Sequence, residues 1–251
     1  MNTETTETPS RAARSAWSPQ FRARLAAIVM TVESVAAVRG HMRIPEQFIV
    51  MNDTAATAAN ILSNEALFQF GVTLSLLAVA FHVAGVVLFY ELFKPVNPTI
   101  ARLSAWVSLI GIALQAVSAV FQQAPLSVLG GEAFASAFTA EQLQGLAYLA
   151  LRIQGQTVNM YLIFFGISIL LLGYLIFKSG FVPRLIGLLE MLAGAAYLVL
   201  LWPPLASVWH PYYLFFAVGE LVLGIWLLVK GVDSARWHER NRAFRRALSE
   251  S

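Results

Sequence analysis

The sequence predicts an all-α fold, a polytopic transmembrane bundle of about six spans with a small helical cap on its outer face. Charged side chains make up only 12% of the 251 residues, apolar ones 58%, and mean hydropathy is +0.66. A soluble domain carries roughly 25% charged residues. The stretches 66–90, 103–131, 153–177 and 191–219 contain no Asp, Glu, Lys or Arg at all. Each exceeds the ~20 residues that a helix needs to cross a hydrocarbon core of about 30 Å. Helices are expected because lipid forces backbone groups to pair within a segment, and no alternating strands of ~10 residues occur. This composition excludes a soluble enzyme domain, a disordered chain and a nucleic-acid binder. The absence of cysteine excludes disulfides and thiolate metal sites.

Residues 1–21, rich in Thr, Glu, Ser, Ala and Arg, read as a flexible cytoplasmic tail. Residues 22–231 form the six-helix transmembrane domain. Its first span, 21–40, is the least regular, with Arg22 and Arg24 snorkelling at one end and Glu33 inside. The others are 67–93, 100–122, 156–177, 183–202 and 211–229. Pro95, Asn97 and Pro98 break the chain between the second and third, and Gly180 and Pro183 between the fourth and fifth. The outer loops are 41–66 and 123–155. In the first, Asp53 is placed to cap a helix over 54–63. In the second, Thr139 and Gln142 make a capping-box pattern. A helix from 140 to 178 would run on the order of 58 Å, too long for one span. A hinge at Gly155 is therefore expected, with the first part outside the bilayer. Residues 232–251 form a basic cytoplasmic tail with Trp237, Asn241, Phe244 and Leu248 on one helical face. Arg236, Arg240, Arg242, Arg245 and Arg246 surround it. Such a helix suits the headgroups of anionic lipids, or simply forms a solvated tail.

The 17 Lys and Arg residues set the orientation. With a cytoplasmic N-terminus, only Arg39, Arg43 and Arg152 fall outside, and an even number of spans puts both termini inside. The expected location is the cell inner (plasma) membrane, crossed several times. Trp202, Trp209, Tyr212 and Tyr213 are expected at the outer boundary, and Tyr90, Trp106, Tyr174 and Trp226 at the inner one. Arg24-Leu25, Arg102-Leu103 and Arg184-Leu185 open three spans, and Lys94, Lys178 and Lys230 close three others. Three parallel hairpins would give this pattern, and so would topology alone.

Ionisable groups inside a bilayer are costly, so each is a candidate functional residue. Counting from the basic residue at each inner helix end, Glu33 lies ~13.5 Å deep, Glu220 ~15 Å and His82 ~18 Å, with Glu190 nearer the inner interface at ~9 Å. Together they make a candidate intramembrane polar site, either a proton relay or cation site, or a set of neutral interhelical hydrogen bonds. Gln122, Arg152, Gln156 and Asn159, with Gln115, Gln123 and Gln154, gather toward the outer ends of the third and fourth spans. They could line a vestibule for a polar or anionic ligand, or satisfy backbone groups where the cap joins the bundle. Gly85, Gly111, Gly166, Gly173, Gly187, Gly194 and Gly224 are expected to let helices approach closely. No metal-binding histidine cluster, catalytic motif or cofactor signature occurs, so neither catalytic residues nor a cofactor is expected.

The segment 53–62 (DTAATAANIL), Leu92-Phe93-Lys94-Pro95-Val96-Asn97, 172–184 (LGYLIFKSGFVPR) and 220–231 (ELVLGIWLLVKG) resemble the DUF4386 family, a group of uncharacterised prokaryotic membrane proteins. The resemblance implies a multi-span bundle and carries over no activity, cofactor or site residue. Two functions remain in view. One is a non-enzymatic membrane protein binding a lipid, a small ligand or a protein partner. The other is a small proton- or cation-coupled transporter using Glu220 and His82.

Overall fold

A computed structural model describes residues 17–202, 204–205 and 218–250, without the side chains of 133–135. The described residues are overwhelmingly helical and include no strand. Helix α1 (Pro19–Ala37) starts at Ser18, whose Oγ accepts the Phe21 N–H at 3.1 Å, with proline in its first turn. It continues through a π-helical turn (Val38–Arg43) into the short α2 (Ile44–Glu46). Asp53 caps α3 (Thr54–Ser63) by accepting the Ala56 N–H at 2.8 Å. Then come α4 (Glu65–Phe93), α5 (Pro98–Gly130), α6 (Glu132–Ala137), α7 (Ala140–Ser179), α8 (Arg184–Tyr197), α9 (Val218–Val229) and α10 (Ser234–Ser249). Four segments are long and apolar enough to cross a membrane: α4, α5, α7 and Arg184–Leu201, which is α8 with its 3-10 extension. The six expected spans thus include four that meet this measure; α1 carries Arg22, Arg24 and Glu33, and α9 is shorter. Residues 1–16 of the expected tail, with Trp209, Tyr212 and Tyr213 of the expected outer aromatic cluster, lie outside the described residues.

The long helices close a ring. Helix α1 packs on α4, α4 on α5, α5 on α7, α7 on α8, α8 on α9, and α9 returns to α1. Lipid supplies no hydrophobic drive between helices, so such contacts depend on close packing and small residues. The α7–α8 seam shows this best. A Cβ on Gly187 would lie 2.7 Å from the Gly173 carbonyl oxygen, and one on Gly194 would lie 2.6 Å from that of Gly166. Two glycines per helix, seven residues apart, therefore bring the two backbones together. Gly224 differs from this expectation, since a Cβ there would meet only Thr31 Oγ1, at 3.9 Å.

Two expected breaks are absent. Helix α7 runs for 40 residues without interruption at Gly155, and α5 continues past 122 to Gly130. Thr139 and Gln142 form the capping box that starts α7. The physical reason for the length is mutual support, because α5 and α7 pack along each other and carry α3 between them. Ile44, Phe48, Ile61, Phe68, Val72 and Leu151 form the apolar core of this extension. The cap is thus built on prolonged bundle helices.

At the opposite end, marked by Lys94, Arg102, Lys178, Arg184 and Lys230 and called here the basic end, an apolar cluster closes the ring. It includes Leu92, Phe93, Leu175, Ile176, Phe181, Leu227 and Trp237. Helix α10 completes this floor. Trp237 Nε1 donates to the Leu92 carbonyl at 2.9 Å, Arg236 donates to that of Gly180 at 2.9 Å, and Arg240 to that of Lys178 at 3.1 Å. Carbonyls at helix C-termini lack intrahelical donors and carry the negative end of the dipole, so these basic side chains satisfy both needs. Trp237 is buried, Asn241 and Phe244 are half-buried, and Leu248 is exposed, so only the first half of the expected apolar face docks.

Gly187→Leu is expected to destabilise the bundle by about 3 kcal/mol or more, because the new side chain meets backbone. Gly145→Ala, at a position with nothing within 4 Å, is expected to be neutral or to stabilise by up to about 1 kcal/mol. Thermal unfolding in detergent compares the two.

Candidate functional site

The ring brings two residues of the expected intramembrane site and one glutamine into a single layer. Glu33 on α1, His82 on α4 and Gln115 on α5 are all buried. Gln115 Nε2 donates to Glu33 Oε1 at 3.4 Å, and Gln115 Oε1 lies 3.1 Å from His82 Nδ1. An amide oxygen only accepts, so Nδ1 carries the proton in this arrangement. Glu33 Oε1 and His82 Nδ1 are 3.7 Å apart. Ser34 Oγ donates to the other Glu33 oxygen at 3.4 Å. Tyr161 and Phe165 of α7 stand edge-on to the His82 ring, with centroids 5.9 and 5.5 Å away.

Glu220 and Glu190 approach the same space from α9 and α8. Tyr197 donates its hydroxyl to Glu220 Oε1 at 3.0 Å. Glu190 is 1% exposed, and its Oε1 has no hydrogen-bond partner among the described residues. Glu190, expected nearer the inner interface by its count from Arg184, faces into the ring. Glu220 lies within electrostatic reach of both Glu33 and Glu190. His82, Glu190 and Glu220 all line a cavity of about 440 Å³, whose walls come from α1, α4, α5, α7, α8 and α9. The remaining wall is mainly apolar, with the hydroxyls of Ser34, Ser104, Ser108 and Ser168 among it. Its basic-end side shares Ala27, Ala101, Leu175, Leu223 and Leu227 with the floor.

A second polar layer surrounds the π-helical turn. Gly40 packs so closely on α4 that a Cβ would lie 2.5 Å from the Ser75 nitrogen. The turn displaces carbonyls from the helical ladder, and side-chain amides take them up. Gln122 Nε2 donates to Gly40 O at 2.9 Å, and Gln154 Nε2 to His41 O at 3.0 Å. Ser75 Oγ donates to Gln122 Oε1 at 2.7 Å. Ser118 Oγ sits 3.2 Å from His41 Nδ1 and donates to the Gln115 carbonyl at 2.7 Å, linking this layer to the first. His41 is buried, and its Nε2 has no partner among the described residues.

The expected vestibule set is not gathered. Gln122 is in the interior, whereas Arg152, Gln156 and Asn159 are exposed on α7. The reason is helical geometry: Gln154 occupies the buried face of α7, and its neighbours two residues away point elsewhere. Sequence reasoning overlooked His41, Ser75 and Ser118. A π turn has no sequence signature, although Gly40 before a histidine was a signal of close approach.

The profile described as "Domain of unknown function (DUF4386)" matches residues 25–231. The chain belongs to the DUF4386 family. The matched region of this DUF4386 chain holds Glu33, His82, Glu190, Glu220 and the whole π turn. An uncharacterised protein of Archaeoglobus fulgidus is 39% identical over 74 residues, 28% of this chain. The match covers 43% of that relative's length. No solved structure matches.

Gln122→Leu in this DUF4386 chain leaves the Gly40 carbonyl without its amide donor in a buried site. It is expected to cost about 1–3 kcal/mol, and Gln123→Leu, at the partly exposed neighbour, well under half of that. Detergent-phase thermal unfolding of both variants checks the difference.

Proposed function

We propose that this DUF4386 protein is a non-enzymatic integral membrane protein that binds a small amphipathic molecule inside its helical ring. The observation that carries this reading is the cavity of about 440 Å³, within the range of about 300–1,000 Å³ common for small-molecule sites. Its apolar wall suits a hydrophobic body, while His82, Glu190 and Glu220 offer a few polar contacts that would fix an orientation. The reading includes six spans in the plasma membrane with both termini cytoplasmic, supported by the six-helix ring and the concentration of Lys and Arg at the basic end. It also gives the exposed Arg242, Arg245 and Arg246 of α10 an anionic leaflet as partner.

Native mass spectrometry of protein released from mild detergent is expected to show a retained small molecule. Absence of any adduct, with no gain of Tm from added lipid extract, would count against binding. A C-terminal fluorescent-protein fusion is expected to fluoresce, as it does only on the cytoplasmic side; a dark, fully expressed fusion would reverse the orientation.

Proton- or cation-coupled transport is the second reading, favoured by the contact of Glu33 with His82 and by Glu220 on the same cavity. Transport also needs a second state in which the apolar floor opens. In proteoliposomes with a pH-sensitive dye, a gradient-driven proton flux that Glu220→Gln abolishes would support this reading. No flux under any imposed gradient would end it.

A further inference from the structure

The chemistry of the cavity wall narrows the ligand. Glu190 and Glu220 line the cavity, and Glu33 lies within electrostatic reach of Glu220. Among the described residues no Lys or Arg lines it. Glu190 is 1% exposed and presents Oε1 with no hydrogen-bond partner among those residues. An unpaired buried oxygen has lost its water without gaining a partner, and a donor in the cavity would supply one. An anionic head would find carboxyls and no counter-charge. An ammonium group would find acceptors on two helices, and Phe89 and Phe165 also line the cavity, aromatic rings of the kind that attract a cation placed over their faces.

The way in is also visible. The cavity-lining residues with substantial exposure are confined to α1 and α9: Thr31 and Val35 on one side, Leu221, Ile225 and Leu228 on the other. Between them lies Gly224, whose absent side chain would meet only Thr31 Oγ1 within 4 Å. This seam faces the apolar exterior of the bundle, where hydrocarbon would lie. The floor at the basic end is packed and closed.

We propose that the cavity holds a lipophilic amine, a protonated amine on a single apolar chain, bound by Glu190 and Glu220 and admitted sideways from the bilayer between α1 and α9. The assignment rests on the ligand-binding reading above and names its ligand class. Dodecylamine, dodecanol and dodecanoate, matched in chain and differing in head, test it on the full chain in mild detergent by native mass spectrometry and thermal unfolding. Dodecylamine is expected to be retained at one per chain and to raise Tm. Dodecanol and dodecanoate are expected to bind about tenfold more weakly or worse. Glu190→Gln and Glu220→Gln should each lower amine affinity about tenfold or more, as loss of one partner of a buried charged pair does. Equal retention of the three probes, or a preference for dodecanoate, would overturn the amine assignment and leave ligand binding standing. Retention of none of them, together with no native adduct, would overturn both. Gly224→Leu, at a position where a Cβ meets only Thr31 Oγ1 at 3.9 Å, puts a bulky side chain in the seam without striking backbone and is expected to slow amine association at least fivefold while the chain still folds. An unchanged rate would overturn lateral entry, and this variant keeps the proposal testable where a carboxyl substitution prevents folding.

Discussion

Backbone and side-chain polar groups buried in this bundle need partners inside it, and the π turn at Val38–Arg43 depends most plainly on that constraint. A buried group has no water at hand, and leaving it unpaired costs about 1–3 kcal/mol. The turn pulls the carbonyls of Gly40 and His41 off the helical ladder, and Gln122 and Gln154 reach from α5 and α7 to receive them. Two helices are thereby tied to one irregular turn. The tie sets the register of α1 against α5, and with it the height at which Glu33 meets Gln115 and His82. The acidic layer rests on the amide layer above it.

The basic end solves the same problem with charge. Helix C-termini leave carbonyls unpaired, and the chain closes them from outside with α10, using Trp237, Arg236 and Arg240. Gln20 repeats the device on the link after α9: its amide nitrogen donates to Val232 O at 2.8 Å, and its oxygen accepts the Val232 N–H at 3.2 Å. Hence the two ends of the described chain are held together at one face of the ring. The arginines there therefore serve two purposes, since those that cap carbonyls are fixed by the fold while Arg242, Arg245 and Arg246 remain exposed.

Much of this was legible in the amino-acid pattern, because apolar length, caps and breakers act locally. Asp53 and Thr139 announce helix starts in the residues that follow them, and both cap as the pattern indicates. The apolar stretches give the helices themselves. Features that depend on a neighbour were less visible. Gly155 reads as a hinge in isolation, yet α7 stays continuous through it, packed against α5 and α3. The count from Arg184 gives Glu190 a depth but not a face; that is set where Gly187 and Gly194 draw its helix against α7. Gln122 reads as one of a string of outer polar residues, and only the carbonyl displaced at Gly40 explains why it is buried. Depth along a helix follows from sequence spacing; the face a residue occupies depends on which partner the helix chooses.

Glycine marks the contrast that gives the ring its two characters. At Gly166, Gly173, Gly187 and Gly194 the missing side chain is filled by the neighbouring backbone, so α7 and α8 form a seam in which a methyl group has no room. At Gly224 an added Cβ would only touch Thr31 Oγ1, at 3.9 Å, so α9 meets α1 there through a side chain and not backbone on backbone. Close-packed seams resist separation because many small dispersion contacts are lost together. A seam lined by empty volume lacks those contacts and separates at lower cost. The proposed entry where α9 meets α1 therefore lies beside Glu220, one of the carboxyls that line the cavity. A bundle built only for cohesion would place its polar groups behind its tightest seam. Here Glu190 lies on the tight α7–α8 seam, between Gly187 and Gly194, whereas Glu220 sits one turn from Gly224, where α9 meets α1 and exposed side chains line the cavity.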